Sequence, residues 1–475
     1  MCHGPATRAM LNHDILYVIF EQLAAPDRSW YKYEGVTVPG RERSSQERGE
    51  AIRRATLASC VRVCRAFFEP AACVLWKDLV DLGAIPACHE GGSYDVTPPC
   101  SSLKRRERYL SHIRAIHHPQ RPSGVVPHVI ASRAEVEKAP PLALTKLRWI
   151  QEVPGSLDLL TLLSPSLQSL HIIFRHPRSW RRDQASMHRD FVETLLVRIA
   201  ERAPTLTYLR ITRTSGIPES WLVPIQRFSR AETVDLREPM YDAVSSSALL
   251  QPLSTLQHLR TLRLRLQSTS CAPAPGVDAG FGGFGALREL HLNGKFAQLQ
   301  DATGFLRGLA SPYLRSLRID DCECRTDAFA EALHDFCAVL ESQFAFTLQV
   351  VALSVYGIGP SLTLERPLAE YLHPLLQVGG LRDVRLSLAP KGVLVAVSEA
   401  DMRAMADSWP LLERLHLDCG LCRSGGGAGL SHRVVEWMRQ ACARLEDIQL
   451  PIDEERFATS TGGRFGPCAG PDPRK

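Results

Sequence analysis

The feature that most constrains this chain is a short phrase, Leu-x-x-Leu-x-Leu with Val or Ile substitutions, that recurs between residues 144 and 450. It reads Leu167-Gln-Ser-Leu170-His-Ile172, Leu206-Thr-Tyr-Leu209-Arg-Ile211, Leu259-Arg-Thr-Leu262-Arg-Leu264 and Leu287-Arg-Glu-Leu290-His-Leu292. It continues as Leu314-Arg-Ser-Leu317-Arg-Ile319, Leu348-Gln-Val-Val351-Ala-Leu353, Leu381-Arg-Asp-Val384-Arg-Leu386, Leu412-Glu-Arg-Leu415-His-Leu417 and Leu445-Glu-Asp-Ile448-Gln-Leu450. Weaker copies begin at Leu144 and Ala231, and successive starts lie 23 to 39 residues apart. A phrase returning at such a period marks a solenoid, whose units stack because none can bury its apolar face alone. The alternating tail of each phrase is a short strand with two residues facing in and the one between them facing out. Helical spacing fills the intervals, as in Arg189–Ala203, Asp327–Glu341, Pro367–Gln377, Glu399–Ser408 and Ser431–Ala443. The expected fold is an α/β solenoid over 141–452: a horseshoe of parallel strands with helices on its convex side.

The outward residues of the phrases form a column: Arg148, His171, Arg210, Asp235, Arg263, His291, Arg318, Ala352, Arg385, His416 and Gln449. With neighbouring strands about 4.8 Å apart, this spacing predicts a basic stripe on the concave face. Two readings of it stand. The stripe could hold an acidic or phosphorylated protein segment, since Arg pairs bidentately with carboxylate and phosphate. Or it is a solvated face, its charges compensated by Glu289, Asp320, Asp383 and Asp418.

Ahead of the array lies a helical module. Leu11 to Leu23 reads as one amphipathic helix, capped by Asn12 and opened by Asp14, with Ile15, Leu16, Ile19, Phe20 and Leu23 on a wide apolar stripe. Leu11 can staple onto Leu16. A second helix is expected over Thr56–Ala66, and a third over Ala71–Leu79 with Pro70 at its first turn. Three short helices carry more apolar surface than their own core absorbs, which points to a partner. Between the first two, 24–55 is rich in Arg, Glu, Ser and Gly, composition suited to a disordered or partly helical insertion.

These residues resemble an F-box. The phrase Leu11-Asn-His-Asp-Ile-Leu-x-x-Ile-Phe-x-x-Leu23, then Val63-Cys64-Arg65-Ala-Phe67, then Leu75-Trp76-Lys-Asp-Leu79, follows the family pattern in order. It departs from that pattern in reading Leu11-Asn12 where the family has Leu-Pro, and in the 24–55 insertion. The array behind it looks like the leucine-rich-repeat domain of fungal-type F-box proteins. The resemblance implies a domain over 1–80 that docks a Skp-type adaptor, and through it a cullin, by Leu11, Ile15, Leu16, Ile19, Phe20, Leu23, Val63, Cys64, Phe67, Leu75 and Trp76. It also implies a repeat array that selects a target protein for ubiquitination, cytoplasmic or nuclear, with no catalysis and no cofactor in this chain. The alternatives are a leucine-rich-repeat scaffold whose first helices only cap the array, and an enzyme with an unrecognised site.

Composition narrows the rest. Among 475 residues, 45% are hydrophobic, without an apolar run of about 18 that would suggest a membrane span. The first residues, Met-Cys-His-Gly-Pro, do not read as a secretory signal, so the 14 cysteines are expected as reduced thiols. A net charge of +5 makes nucleic acid an improbable partner. The stretch 81–140, with Glu-Gly-Gly-Ser and Thr-Pro-Pro-Cys, reads as a linker in which Tyr109, Ile113 and Ile116 could form the array's cap, and 453–475 as a disordered tail. Gly280–Gly285 precedes a strand rather than following one, so it is a loop and not a dinucleotide site. Cys322-Glu-Cys324 and Cys419-Gly-Leu-Cys422 have no second pair at zinc spacing and are expected in turns. His112, His117 and His118 lack acidic or Cys partners nearby in sequence. Lys104–Arg108 reads as a solvated helix face.

Overall fold

The computed structural model describes residues 12–24, 42–79, 111–117, 143–153, 155–175, 185–212, 219–236, 247–266, 283–294, 297–325, 328–358, 362–363, 366–388, 393–394, 397–419, 430 and 432–451. The chain divides into two compact units, Met1–Thr233 with Glu238–Asp242, and Val234–Arg237 with Ala243–Lys475.

The first unit opens with three helices, α1 (His13–Leu23), α2 (Glu42–Val63) and α3 (Arg65–Lys77). Asn12 caps α1, its Oδ1 accepting from the Asp14 amide at 2.9 Å and the Ile15 amide at 3.5 Å. This satisfies two of the orphan donors that any helix start exposes. Leu16, Phe20, Leu57, Ala71 and Val74 form the core of the three, with Phe67 edge-on to Phe20 at 5.5 Å. The second helix starts within the 24–55 segment rather than at Thr56, and the third starts at Arg65 rather than Ala71. Pro70 therefore sits inside α3 and not in its first turn; it is buried, and the helix runs through it.

The same unit then builds a parallel ladder of β1 (Asp78–Leu79), β2 (Ala115–His117), β3 (Lys146–Glu152), β4 (Ser169–Arg175) and β5 (Tyr208–Thr212), with helices α4 (Leu159–Leu162) and α5 (Ala185–Arg202) between its later strands. In register, Asp78 faces Ala115, Ala115 faces Lys146, Lys146 faces Ser169 and Ser169 faces Tyr208. The ladder thus begins well before residue 141. Ile113-Arg-Ala-Ile116, expected as a cap, is a further copy of the phrase: Ile113 and Ile116 are fully buried, and the Arg114 carbonyl accepts from Thr145 and Lys146 as the Thr145 carbonyl does from Gln168 and Ser169.

The second unit repeats the design. Its strands are β6 (Thr233–Leu236), β7 (Thr261–Arg265), β8 (Glu289–Asn293), β9 (Ser316–Arg325), β10 (Val350–Ile358), β12 (Asp383–Leu388), β14 (Arg414–Cys419) and β15 (Asp447–Gln449), and from β7 onward each pairs parallel with the next. A separate small pair joins β11 (Leu362–Thr363) to β13 (Val393–Leu394). Between them run α6 (Ser247–Ser254), α7 (Leu299–Arg307), α8 (Phe329–Phe344), α9 (Leu368–Tyr371), α10 (His373–Leu376), α11 (Glu399–Ser408) and α12 (His432–Ala441). The stretch expected as one helix over 367–377 breaks at Leu372, which caps α10, and Pro374 sits in the first turn of α10. Ser398 and Asp401 close a capping box on α11, and Gln298 and Asp301 do so on α7.

One hydrogen-bond step recurs before each strand. The Arg288 carbonyl accepts from Arg315 and Ser316, the Arg315 carbonyl from Gln349 and Val350, and the Gln349 carbonyl from Arg382 and Asp383, all at 2.7–3.1 Å. Each coil hangs on the one before it, so register is fixed coil by coil. Leu290, Leu317 and Val351 share one core, at 1%, 0% and 0% exposure, as the phrase requires. Burying each such side chain contributes about 1.5–3 kcal/mol. Each unit is therefore a layered α/β solenoid of leucine-rich repeats, the fold class expected from the phrase.

Candidate interaction surfaces

On α1 the apolar stripe splits in two. Leu16 and Phe20, expected to meet a partner, are 2% exposed and belong to the core, because α3 packs against that side of the helix. Ile15, Val18, Ile19 and Leu23 stay 43%, 56%, 44% and 41% exposed on the flank beside it. Spaced at i, i+3, i+4 and i+8, they lie along one face of α1. Val63 and Cys64 are exposed at the α2–α3 junction. Phe67 and Leu75 are half-buried against the core, and Trp76 is half-buried. Leu11 lies outside the described residues.

A charged clasp holds α1 to the end of α3. The Lys77 ammonium meets Glu21 Oε1 at 2.6 Å and the Tyr17 hydroxyl donates to the same oxygen at 3.0 Å. The Lys77 ammonium, then the Tyr17 hydroxyl, holds the Glu21 carboxyl below the usual range, and the Glu21 carboxylate raises Lys77 in turn. The exposed stripe is thereby presented on a fixed helix.

The outward column differs between the units. In the first, Arg148, His171 and Arg210 stand in register, but His171 and Arg210 are 7% and 9% exposed. His171 Nε2 lies 2.9 Å from the Thr212 hydroxyl. The expected exposed basic stripe is absent here. The next outward positions, Ile173 and Thr212, are buried too, so β4 and β5 are covered on both faces.

In the second unit Arg263, His291, Arg318, Ala352, Arg385, His416 and Gln449 do stand in register on the outward face. They are not a free basic field. Asp383, 2% exposed, takes Arg385 at 2.9 and 3.1 Å and Arg414 Nε at 3.2 Å. Arg263 reaches Asp235 at 3.5 Å, His416 reaches Asp447 at 2.7 Å, and His291 contacts Asp320. The Asp383 carboxylate raises the Arg385 pKa above its ordinary value. Arg318 is exposed and makes no recorded ion pair among the described residues. The compensated face is the one observed.

The thiols divide as well. Cys322 and Cys324, expected in a turn, lie in β9, fully buried: Asp321 takes a left-handed φ of 58° and the strand continues with its alternation shifted. Burial pushes the Cys322 and Cys419 thiols up to about 12, so both stay protonated core groups. Cys422 lies outside the described residues. Another thiol has chemical company that sequence spacing concealed. Cys73 Sγ on α3 lies 3.3 Å from His112 Nδ1, and His112 Nε2 lies 3.3 Å from Glu69 Oε1. Glu69 and Cys73 are one helical turn apart, while His112 comes from the segment leading into β2.

No family model matches the chain, and no curated protein matches it. Solved structures similar to the chain include two described by their overlap. The TLR13–ssRNA13 complex aligns over 72% of this chain at 14% identity with a TM-score of 0.34; the match spans 52% of the TLR13 chain, about half of its length. A leucine-rich-repeat protein of Leptospira interrogans aligns over 66% of this chain and 97% of its own at 11% identity, with a TM-score of 0.19. The fold assignment rests on the strand ladders and the buried phrase. No helix among the described residues is long and apolar enough to cross a membrane.

Proposed function

We propose that this chain is a protein-interaction module acting as the substrate-selecting, non-catalytic subunit of a cullin–RING (SCF-type) ubiquitin ligase. The helices ahead of the ladder dock a Skp-type adaptor, and the leucine-rich repeats hold the target protein. The observation that carries this reading is the stripe of Ile15, Val18, Ile19 and Leu23, four apolar side chains left in solvent by a helix whose neighbouring face already fills a core. Such surplus is what a docking helix offers a partner. The docking set is accordingly Ile15, Val18, Ile19, Leu23 and Val63, together with Cys64 and Trp76; Leu16 and Phe20 hold the helix in place. The mechanism is proximity: a target lysine held near a charged conjugating enzyme reacts at a raised effective concentration.

The face of the second unit, with its arginines and histidines matched to carboxylates, suits a target of mixed polar character better than a polyanion. A phosphorylated segment would have to compete with Asp383, Asp235 and Asp447 for the same cations.

A second reading has its own support. The Lys77 carbonyl at the end of α3 accepts from the Arg114 amide, and β1 follows at once. The helices are thus built into the ladder as a cap would be, which favours a leucine-rich-repeat scaffold without ligase recruitment. Co-expression of the full chain with a Skp-type adaptor separates the two: a stoichiometric complex on size exclusion supports the ligase subunit, and its absence with a folded chain supports the scaffold.

A further inference from the structure

Sequence spacing leaves Cys73 and His112 unrelated, since 39 residues separate them. The fold brings them together with Glu69 in one chain of contacts. The thiol sulfur meets one nitrogen of the imidazole and the carboxylate meets the other, at 3.3 Å each. His112 is only 10% exposed and Glu69 32%, so the contacts lie in a partly desolvated pocket of the module.

We propose that Cys73 is a nucleophilic thiol, activated by His112 and positioned through Glu69, that is oxidised by hydroperoxides. The geometry sets the nucleophile against a base and a carboxylate beside that base. Glu69 Oε1 stands 3.3 Å from Nε2 without forming a hydrogen bond, so it acts on the ring as a neighbouring negative charge that favours the imidazolium, while Nδ1 faces sulfur. The proton then passes from Sγ to Nδ1, leaving a thiolate beside an imidazolium. A low local dielectric strengthens that pair, and the Glu69 carboxylate steadies the imidazolium.

The same geometry selects the reaction class. Acyl transfer needs backbone donors aimed at an oxyanion, as at a helix start. Cys73 stands in the middle of Arg65–Lys77, where amides are committed to the helix. A hydroperoxide asks for less: a thiolate to attack, and a proton for the oxygen that leaves. Sγ forms a bond to one peroxide oxygen, the O–O bond breaks, and the departing oxygen takes the proton held on His112. Hydrogen peroxide thus yields the sulfenic acid and one water, sulfur being oxidised and peroxide reduced. The remaining charges on the neighbouring elements have partners of their own. Lys77 is held by Glu21, Arg54 donates to the Asp78 carbonyl, and Arg114 donates to the carbonyls of Ser111 and Ile113.

The test uses the full chain under reducing conditions, with iodoacetamide as probe and the site of labelling read by mass spectrometry from pH 5.5 to 9.5. An unactivated thiol titrates near 8.5 and is about 1% thiolate at pH 6.5. A Cys73 ionised at that pH gains about 50–100-fold in thiolate and returns about tenfold through weaker nucleophilicity, a net gain of about five- to tenfold. Partial burial lowers the rate and by itself moves the midpoint upward, so a midpoint below 8.5 reports activation against that trend. The expected result is a midpoint clearly below 8.5 that moves toward 8.5 in both His112→Gln and Glu69→Gln. The second arm treats the chain with hydrogen peroxide and traps sulfenic acid with dimedone; the adduct should form on Cys73 ahead of Cys60 and Cys64. A wild-type midpoint at or above 8.5 overturns the proposal without reference to any variant. So does a trapped adduct spread evenly over the three thiols. Labelling of Cys73 that appears only after a chelator is added would make the trio a metal-ligand set instead and equally overturn it.

Discussion

Ile15 and Ile19 test the docking surface most directly, because the structure separates them from the fold they sit on. Each keeps 43–44% of its surface in water. Fully burying an isoleucine is worth about 1.5–3 kcal/mol, so each has about 0.7–1.4 kcal/mol left to gain when a partner covers it. The pair together therefore contributes about 1.4–2.8 kcal/mol, equivalent to about 10- to 100-fold in affinity. Ile15→Ser with Ile19→Ser should weaken adaptor binding by that factor in calorimetric titration. Urea denaturation of the same variant should show little change, since neither residue belongs to the core. Leu16→Ala should behave oppositely: the residue is 2% exposed, and truncation costs about 2–5 kcal/mol of stability. Two results would refute this reasoning. Binding by the double variant within threefold of wild type would remove the stripe from the interface. A loss of stability as large as that of Leu16→Ala would mean the stripe is covered within the chain.

Arg385→Glu should destabilise the second unit by about 1 kcal/mol, a modest figure because Arg385 is 39% exposed, by setting a second carboxylate against buried Asp383. Arg318→Glu, at an exposed unpaired position, should stay within about 0.5 kcal/mol of wild type; equal losses in chemical denaturation would contradict the charge pairing. His188 is buried in α5 and burial holds its pKa below the ordinary 6.5. Below about pH 6.5 the unfolded chain binds a proton that the folded chain resists, so stability should fall as pH drops through that value. His188→Leu should flatten this part of the profile, and an unchanged slope would exclude the residue. At Gly294 an added Cβ would collide with Cys322 Sγ and approach the Cys322 Cα to 3.0 Å. Gly294→Ala should cost about 1–3 kcal/mol on melting, and a neutral outcome would show that β9 yields there.

The array was legible because its inner positions answer to one demand. Leu170, Leu209, Leu317 and Leu415 are all buried, and the last copy, whose Ile448 and Leu450 are only half-buried, still forms a strand, so a period-2 tail found in sequence is a strand in the fold. Ile113 and Ile116 escaped because a spacing of three fits a helix face as well as the start of the phrase. The α1 stripe was legible as a stripe but not in its division, since 3.6-residue periodicity marks apolar positions without saying how many a neighbouring helix will cover. Beyond His171, the apolar outward position Ile173 already carried the sign that β4 is covered on both faces.

The electrostatics were harder to read for a geometric reason. Counting the outward residue of each phrase gives five arginines and three histidines, a one-signed column. Yet Asp383 lies two residues before Arg385, hence on the same face of the strand, and it turns to both Arg385 and Arg414. Asp447 lies one coil on from His416 and is diagonal to it in register, a neighbour that linear sequence places 31 residues away. In a stacked array the charge a ligand meets is set by the column, its flanking positions and the adjoining coil together. Cys73, His112 and Glu69 follow the same rule from the other direction. His112 lies far in sequence from Glu69 and Cys73, and the chemistry exists only because the segment before β2 returns against α3.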